Sequence, residues 1–269
     1  MALVQPEIAR FTHVCSYDRA YDGFSDAGPI PRTLHQQVFE LHRLLEKAQI
    51  APPLVLVGSS MGGLLDQVYK SVYPGEVGGI VFVDCTHIDI IMAGKRLPSQ
   101  AKGTVIPPPQ TLTGSSAPPY TVEARKMLDA SLAQLAKEAE EQLQPPLNKI
   151  PPEAQLIWRW EHSHIRVSPD FKDWQNWWAE EAEELQQDRA GKEHVYGQMP
   201  LIALGAESYT INAERLRQLY DMVQMSADSL LLIDPQSGHR MQLEVPWLVT
   251  QSIRDIVDAL RAHRRLDTR

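Results

Sequence analysis

Five short apolar runs rich in β-branched residues punctuate the chain: Thr12 to Tyr17, Leu54 to Val57, Gly79 to Val83, Leu201 to Leu204 and Ser229 to Ile233. Their apolar character is nearly continuous rather than alternating, which predicts strands covered on both faces, as in a parallel sheet. Between them lie stretches with helical spacing. Residues 33–48 set Leu34, Val38, Leu41, Leu45 and Ala48 on one stripe, and residues 62–73, 212–225 and 246–262 repeat the pattern. Strand and helix alternate, so the predicted architecture is an α/β domain: a mostly parallel sheet flanked by helices.

The middle of the chain breaks the pattern. Residues 87–198 hold two Pro-rich stretches, Ile106 to Pro119 and Pro145 to Pro152, which resist regular helix and central strand alike. Charged, helix-prone sequence fills 121–143 and 170–190. Five tryptophans of the chain's six, Trp158, Trp160, Trp174, Trp177 and Trp178, also fall here. The division predicted is a core of residues 1–86 and 199–269 interrupted by a helical cap over 87–198, whose tryptophans line a hydrophobic pocket. A self-contained helical domain without a role at the site is the alternative.

With 269 residues, 43% of them hydrophobic, the chain can bury a full core. A formal charge of -8 with scattered Lys and Arg disfavours nucleic acid as a partner. No apolar stretch reaches the ~20 residues of a membrane helix, and the first residues lack a secretory signal, so a cytoplasmic protein is expected. Cys15 and Cys85 are too few for a metal site, and both lie in apolar runs, where buried structural thiols are expected. No metal or organic cofactor is called for.

Chemistry concentrates at Val55-Leu56-Val57-Gly58-Ser59-Ser60-Met61-Gly62-Gly63, where an apolar strand turns into an apolar helix. The pentapeptide Gly58 to Gly62 is G-x-S-x-G. A sharp strand-to-helix turn with a strained serine admits only minimal side chains two positions to either side, here Gly58 and Gly62. Such a turn exposes Ser60 as a nucleophile and aims the Met61 N–H at a developing oxyanion. A bland tight corner is the competing reading. Serine needs a base held by an acid. His239 stands in the loop after the run ending at Ile233, and in a parallel sheet that loop opens on the same edge as the turn at Ser60. Asp84 ends the run Gly79 to Val83 and Glu207 follows the run Leu201 to Leu204. Asp84 is the closer fit as the acid, with Glu207 the alternative.

On these residues the chain resembles the α/β-hydrolase superfamily, close to its small-molecule esterases, over residues 8–87 and 199–262. Tyr17-Asp18-Arg19 with Gly23 to Asp26 is similar to a family strand and loop; Val57 to Gly63 looks like the nucleophile elbow; Ser237-Gly238-His239 resembles the histidine loop. The resemblance implies an acyl-enzyme on Ser60, proton transfer by His239 and orientation by Asp84 or Glu207, with a small-molecule ester as substrate. Two features depart from the family pattern. Ser59 stands where a histidine is usual, and the His-Gly pair that supplies a second oxyanion donor occurs nowhere in the sequence. The expected compensation is direct pairing of the Val14 strand with the Val55 strand, together with homodimerisation, in an N-terminally shortened fold. The loop Tyr21 to Phe24 is the expected source of a substitute donor. A non-catalytic relative that binds a hydrophobic ligand or a partner is the competing function.

Overall fold

The computed structural model describes residues 1–93, 108–110, 122, 126, 130, 143–163, 168 and 174–266. Most of the predicted helix over 121–143 and most of the first Pro-rich stretch lie outside them, as does the side chain of Trp174. In chain order the elements are α1 (Gln5–Ile8), α2 (Leu34–Lys47), β1 (Leu54–Ser59), α3 (Gly62–Val72), β2 (Val77–Val83), α4 (Ile88–Met92), α5 (Pro152–Ser163), α6 (Trp174–Arg189), β3 (Leu201–Gly205), α7 (Ser208–Ile211), α8 (Ala213–Val223), β4 (Ser229–Ile233), α9 (Met241–Glu244) and α10 (Pro246–Ala262).

The four strands form one parallel sheet in the order β1-β2-β3-β4. Alternate residues of each strand serve opposite faces. Ile80, Phe82, Leu201 and Ala203 meet Leu34 and Val38 of α2, Leu64 and Val68 of α3, and Leu219 and Met222 of α8. Val81, Val83, Ile202 and Leu204 meet α1 and α10 through Val4, Ile8, Val249, Ile253 and Ile256. Helices on both faces explain why the strand sequences carry no polar alternation.

The segment Thr12 to Tyr17 is not a strand. Val14 packs beside Val55 and Val57, but Cys15, Ser16 and Tyr17 are exposed and no ladder hydrogen bonds join the segment to β1. Its anchors are instead Arg261 Nη2 donating to the Phe11 carbonyl (2.8 Å) and Ser16 Oγ donating to Gln5 Oε1 (2.9 Å). One apolar contact in six residues is too little to fix a register. Direct pairing with β1 is therefore absent, and among the described strands β1 stands at the sheet edge. Cys15 is exposed rather than buried, while Cys85 is buried as expected.

Between β2 and β3, α6 docks onto α2 by a specific device. The carboxylate of Glu181, fully buried, accepts hydrogen bonds from Leu34 N (2.7 Å), His35 N (2.8 Å) and His35 Nδ1 (2.8 Å). Thr33 Oγ1 accepts the next helical N–H, that of Gln36, at 2.9 Å. The free N–H groups and positive dipole end of α2 are thus met by a charge delivered from α6. Trp178 Nε1 donates to the Arg32 carbonyl (3.0 Å), and Ala182 and Leu185 enter the core beside it. The side-chain amide of Gln36 also clamps the backbone of Gln110, donating at 2.8 Å and accepting at 2.6 Å. Among the described residues no helix is long and apolar enough to cross a membrane.

Candidate active site

Ser60 sits between the end of β1 and the start of α3 with φ 54°, a left-handed backbone that costs a residue bearing Cβ about 1–2 kcal/mol. Its own backbone is pinned on both sides: Ser60 N donates to Val83 O (3.2 Å), and Ser60 O accepts from Gly63 N (3.2 Å) and Thr86 N (3.1 Å). The turn is thereby tied to the end of β2 and the segment after it. Met61 is the N-cap of α3, and its N–H has no hydrogen-bond partner among the described residues.

The steric demand on the turn differs from the one the pentapeptide suggests. A Cβ at Gly58 would lie 2.4 Å from Gly63 N and from Asp66 Oδ2, so this glycine is required. A Cβ at Gly62 meets nothing within 4 Å. The second crowded position is Gly63, where a Cβ would lie 2.2 Å from Cys85 Sγ. The helix packs against the loop after β2 through Gly63, and Gly62 faces open space.

Asp84 follows β2 directly, is 3% exposed, and also has a left-handed backbone, φ 47°. Its N–H donates to Leu204 O (2.9 Å). Its Oδ2 is hydrogen-bonded to His239 Nδ1, while Oδ1 is buried with no partner. The structure therefore joins the histidine after β4 to the acid after β2. Glu207, the other candidate acid, is exposed, with its N–H donating to Ser237 O (2.9 Å), and the carboxylate paired with His239 is that of Asp84. The side chain of His239 is 57% exposed, and no hydrogen bond links it to Ser60 Oγ. Tyr209 seats the loop between these groups, its hydroxyl donating to Cys85 O (3.3 Å); burial and then the Asp84 charge hold that hydroxyl protonated.

Behind the turn lie two groups that the sequence reading passed over. Asp66 of α3 is buried, its Oδ2 has no partner, and burial pushes its carboxyl well above the usual carboxylate range. The Cys85 thiol donates to Gly58 O (3.1 Å), and burial, with Asp66 nearby, pushes its pKa far up; it is an inert packing thiol. The available signal was an acid at position 66 among Leu64, Leu65 and Val68.

The described tryptophan side chains divide between different surroundings. Trp178 is buried in the core against α2, and Trp177 packs against that same cluster. Trp158 is half-buried on α5, and Trp160, on the same helix, stacks on the exposed Phe24 with ring centroids 4.5 Å apart. The loop carrying Phe24 is held by its own polar groups. Tyr21 N donates to Asp26 O, Asp22 N to Arg19 O and Phe24 N to Asp18 Oδ2, at 3.1, 2.8 and 3.0 Å. Those three N–H groups are engaged within the loop and are not spare oxyanion donors. Among the described residues no cluster of three or more His, Cys, Asp or Glu could hold a metal ion.

Solved structures similar to this chain include Cfl2 from Burkholderia cenocepacia (18% identity, 94% of this chain and 81% of that one, TM-score 0.58). A thermophilic esterase from Thermogutta terrifontis matches at 17% identity over 96% and 86% with a TM-score of 0.51. Mouse α/β hydrolase domain-containing protein 10 matches at 17% over 96% and 83% with a TM-score of 0.50. The chain thus has the α/β-hydrolase fold, with helices inserted between β2 and β3. In sequence it is 33% identical over 88 residues to the uncharacterized protein C23C11.06c of Schizosaccharomyces pombe, and 34% identical over 84 residues to the uncharacterized protein YqjL of Bacillus subtilis. Those matches take in 16% and 32% of the two relatives' lengths. No protein-family model matches the chain.

Proposed function

We propose that the protein is a serine hydrolase of small carboxylic esters. The observation that carries this reading is the pairing of His239 Nδ1 with the buried Asp84 at strand ends that share an edge of the sheet with the left-handed Ser60. With Nδ1–H donated to Asp84, Nε2 is the free lone pair that takes the proton from Ser60 Oγ as Oγ bonds to the acyl carbon. The same proton goes to the alcohol oxygen as the acyl–oxygen bond breaks. Water then repeats the sequence and releases the acid. Met61 N–H faces the oxyanion in both steps. A second backbone donor is not evident among the described residues, and one missing donor costs about 10²–10³ in rate, so turnover is expected to be modest.

Short p-nitrophenyl esters test the proposal. Wild type should exceed Ser60→Ala and His239→Ala by at least about 10³-fold, and a fluorophosphonate should label Ser60 alone. Equal background rates in all three proteins, with no labelling, would sink it. Such a result would favour a non-catalytic binding protein, a reading supported by the exposure of His239 and its lack of a hydrogen bond to Ser60 Oγ.

A further inference from the structure

Of the three side chains in the proposed triad, that of His239 is the exposed one, and it is bonded to the protein through Nδ1 and Asp84. One bond at one ring nitrogen leaves the imidazole free to tilt about it. The place of Nε2 is therefore decided by the main chain that carries the ring, and small errors there are costly to a proton transfer.

That main chain, residues 234–240 between β4 and α9, belongs to no helix or strand. Its first half is tied down by Asp234. Asp234 N donates to Gly205 O at the end of β3 (2.9 Å), and Asp234 Oδ1 accepts from Gln236 N and Ser237 N (both 2.9 Å), an Asx turn. Ser237, 1% exposed, accepts at its carbonyl from Glu207 N. These bonds hold the loop as far as Ser237 and stop two residues short of the histidine.

Glu244 supplies the next hold. Gly238 N donates to Glu244 Oε2 at 2.7 Å, the short distance of a bond to a charged acceptor. The carboxylate also lies close against the glycine, since a Cβ at Gly238 would be 3.1 Å from Glu244 Oε1. Glu244 is itself well anchored. It closes α9, whose Met241 is fully buried in the apolar cluster that holds Val83 and Ile202. One side chain thus links the residue before His239 to the packed layer under the sheet.

We propose that Glu244 is a positioning residue for His239: by accepting the Gly238 N–H it fixes the backbone from which Nε2 reaches Ser60 Oγ. Its kinetic consequence rests on the serine-hydrolase reading, whereas the hold on the histidine does not. On p-nitrophenyl acetate, Glu244→Ala should lower kcat at least about tenfold while KM stays within about twofold. Glu244→Gln, which keeps an acceptor oxygen at the same reach, should recover all but about threefold of that loss. If Glu244→Ala fails to melt cooperatively, Glu244→Asp carries the comparison, because it keeps the charge and withdraws the carboxylate; it too should lower kcat. Proton NMR of the full-length protein gives a readout independent of turnover. The downfield His239 Nδ1–H resonance, assigned by its loss in His239→Ala, should be sharp in wild type and Glu244→Gln and exchange-broadened in Glu244→Ala. A wild type without Ser60-dependent turnover would end the esterase reading and leave the resonance to decide the role of Glu244. The proposal is overturned by an equally sharp resonance and equal kcat in wild type and Glu244→Ala, or by a loss as large in Glu244→Gln as in Glu244→Ala.

Discussion

At the scale of single residues, the site is set by what surrounds three side chains rather than by the motif letters. Asp84 is the acid bonded to His239 and Glu207 is exposed elsewhere. Asp84→Asn should therefore lower kcat on a p-nitrophenyl ester by about 10²–10⁴-fold, while Glu207→Gln keeps it near wild type. The reverse pattern would move the acid to Glu207. The turn makes a second prediction, read in stability. Gly63→Ala drives a methyl into Cys85 and should cost about 1–3 kcal/mol in denaturant unfolding, whereas Gly62→Ala should be nearly neutral. The positions of Ser60, Asp84 and His239 were legible because each lies in the turn or loop that follows an apolar run, where the topology itself does the gathering. Gly63 and Asp66 were not legible, because their constraints come from Cys85 and Gly58 across a packed interface that spacing cannot show.

Among elements, the junction of α2 with α6 is the one most exposed to titration. Glu181 sits in the run Glu180-Glu181-Ala182-Glu183-Glu184, which reads as a solvated helix face, yet this one carboxylate is buried against the N-terminus of a helix 146 residues away. Removing it by Glu181→Ala leaves its donors unmet and should cost about 2–4 kcal/mol. The hydrogen bond to Glu181 raises the pKa of His35 above its ordinary value of 6.5. Because the folded pKa lies above the unfolded one, this contribution is complete below about pH 6.5 and is lost as pH rises through the folded value. His87, whose pKa burial lowers, acts oppositely: it destabilises as pH falls below about 6.5. Urea melts of wild type and His35→Gln across pH 5–9 should differ most at the acidic end. The four strands that form and the helices α2, α3, α8 and α10 were readable from periodicity, since burial on both sheet faces dictates it, whereas α5 was not foreseen. The segment Thr12 to Tyr17 was misread because its composition suits a strand, while strand formation needs a neighbour with a free ladder and a shared apolar face.

Considered whole, the molecule closes its sheet late. Residues 84–200 separate β2 from the strand it pairs with, β3. Bringing such distant segments together costs loop entropy before any contact rewards it, so the nucleus is expected to involve β1, α3 and β2 first. During synthesis that interval lasts on the order of ten seconds, at roughly 5–20 residues per second. Throughout it, the run Val77-Gly78-Gly79-Ile80-Val81-Phe82-Val83, without charge or proline, presents an unpaired edge. Ribosome-bound chains should thus gain protease protection of β2 only after β3 and β4 have emerged, and chains arrested near residue 200 should aggregate once released. A sheet that shields its second strand so completely when finished leaves it, while the ribosome is still at work, as the part of the chain most in need of a chaperone.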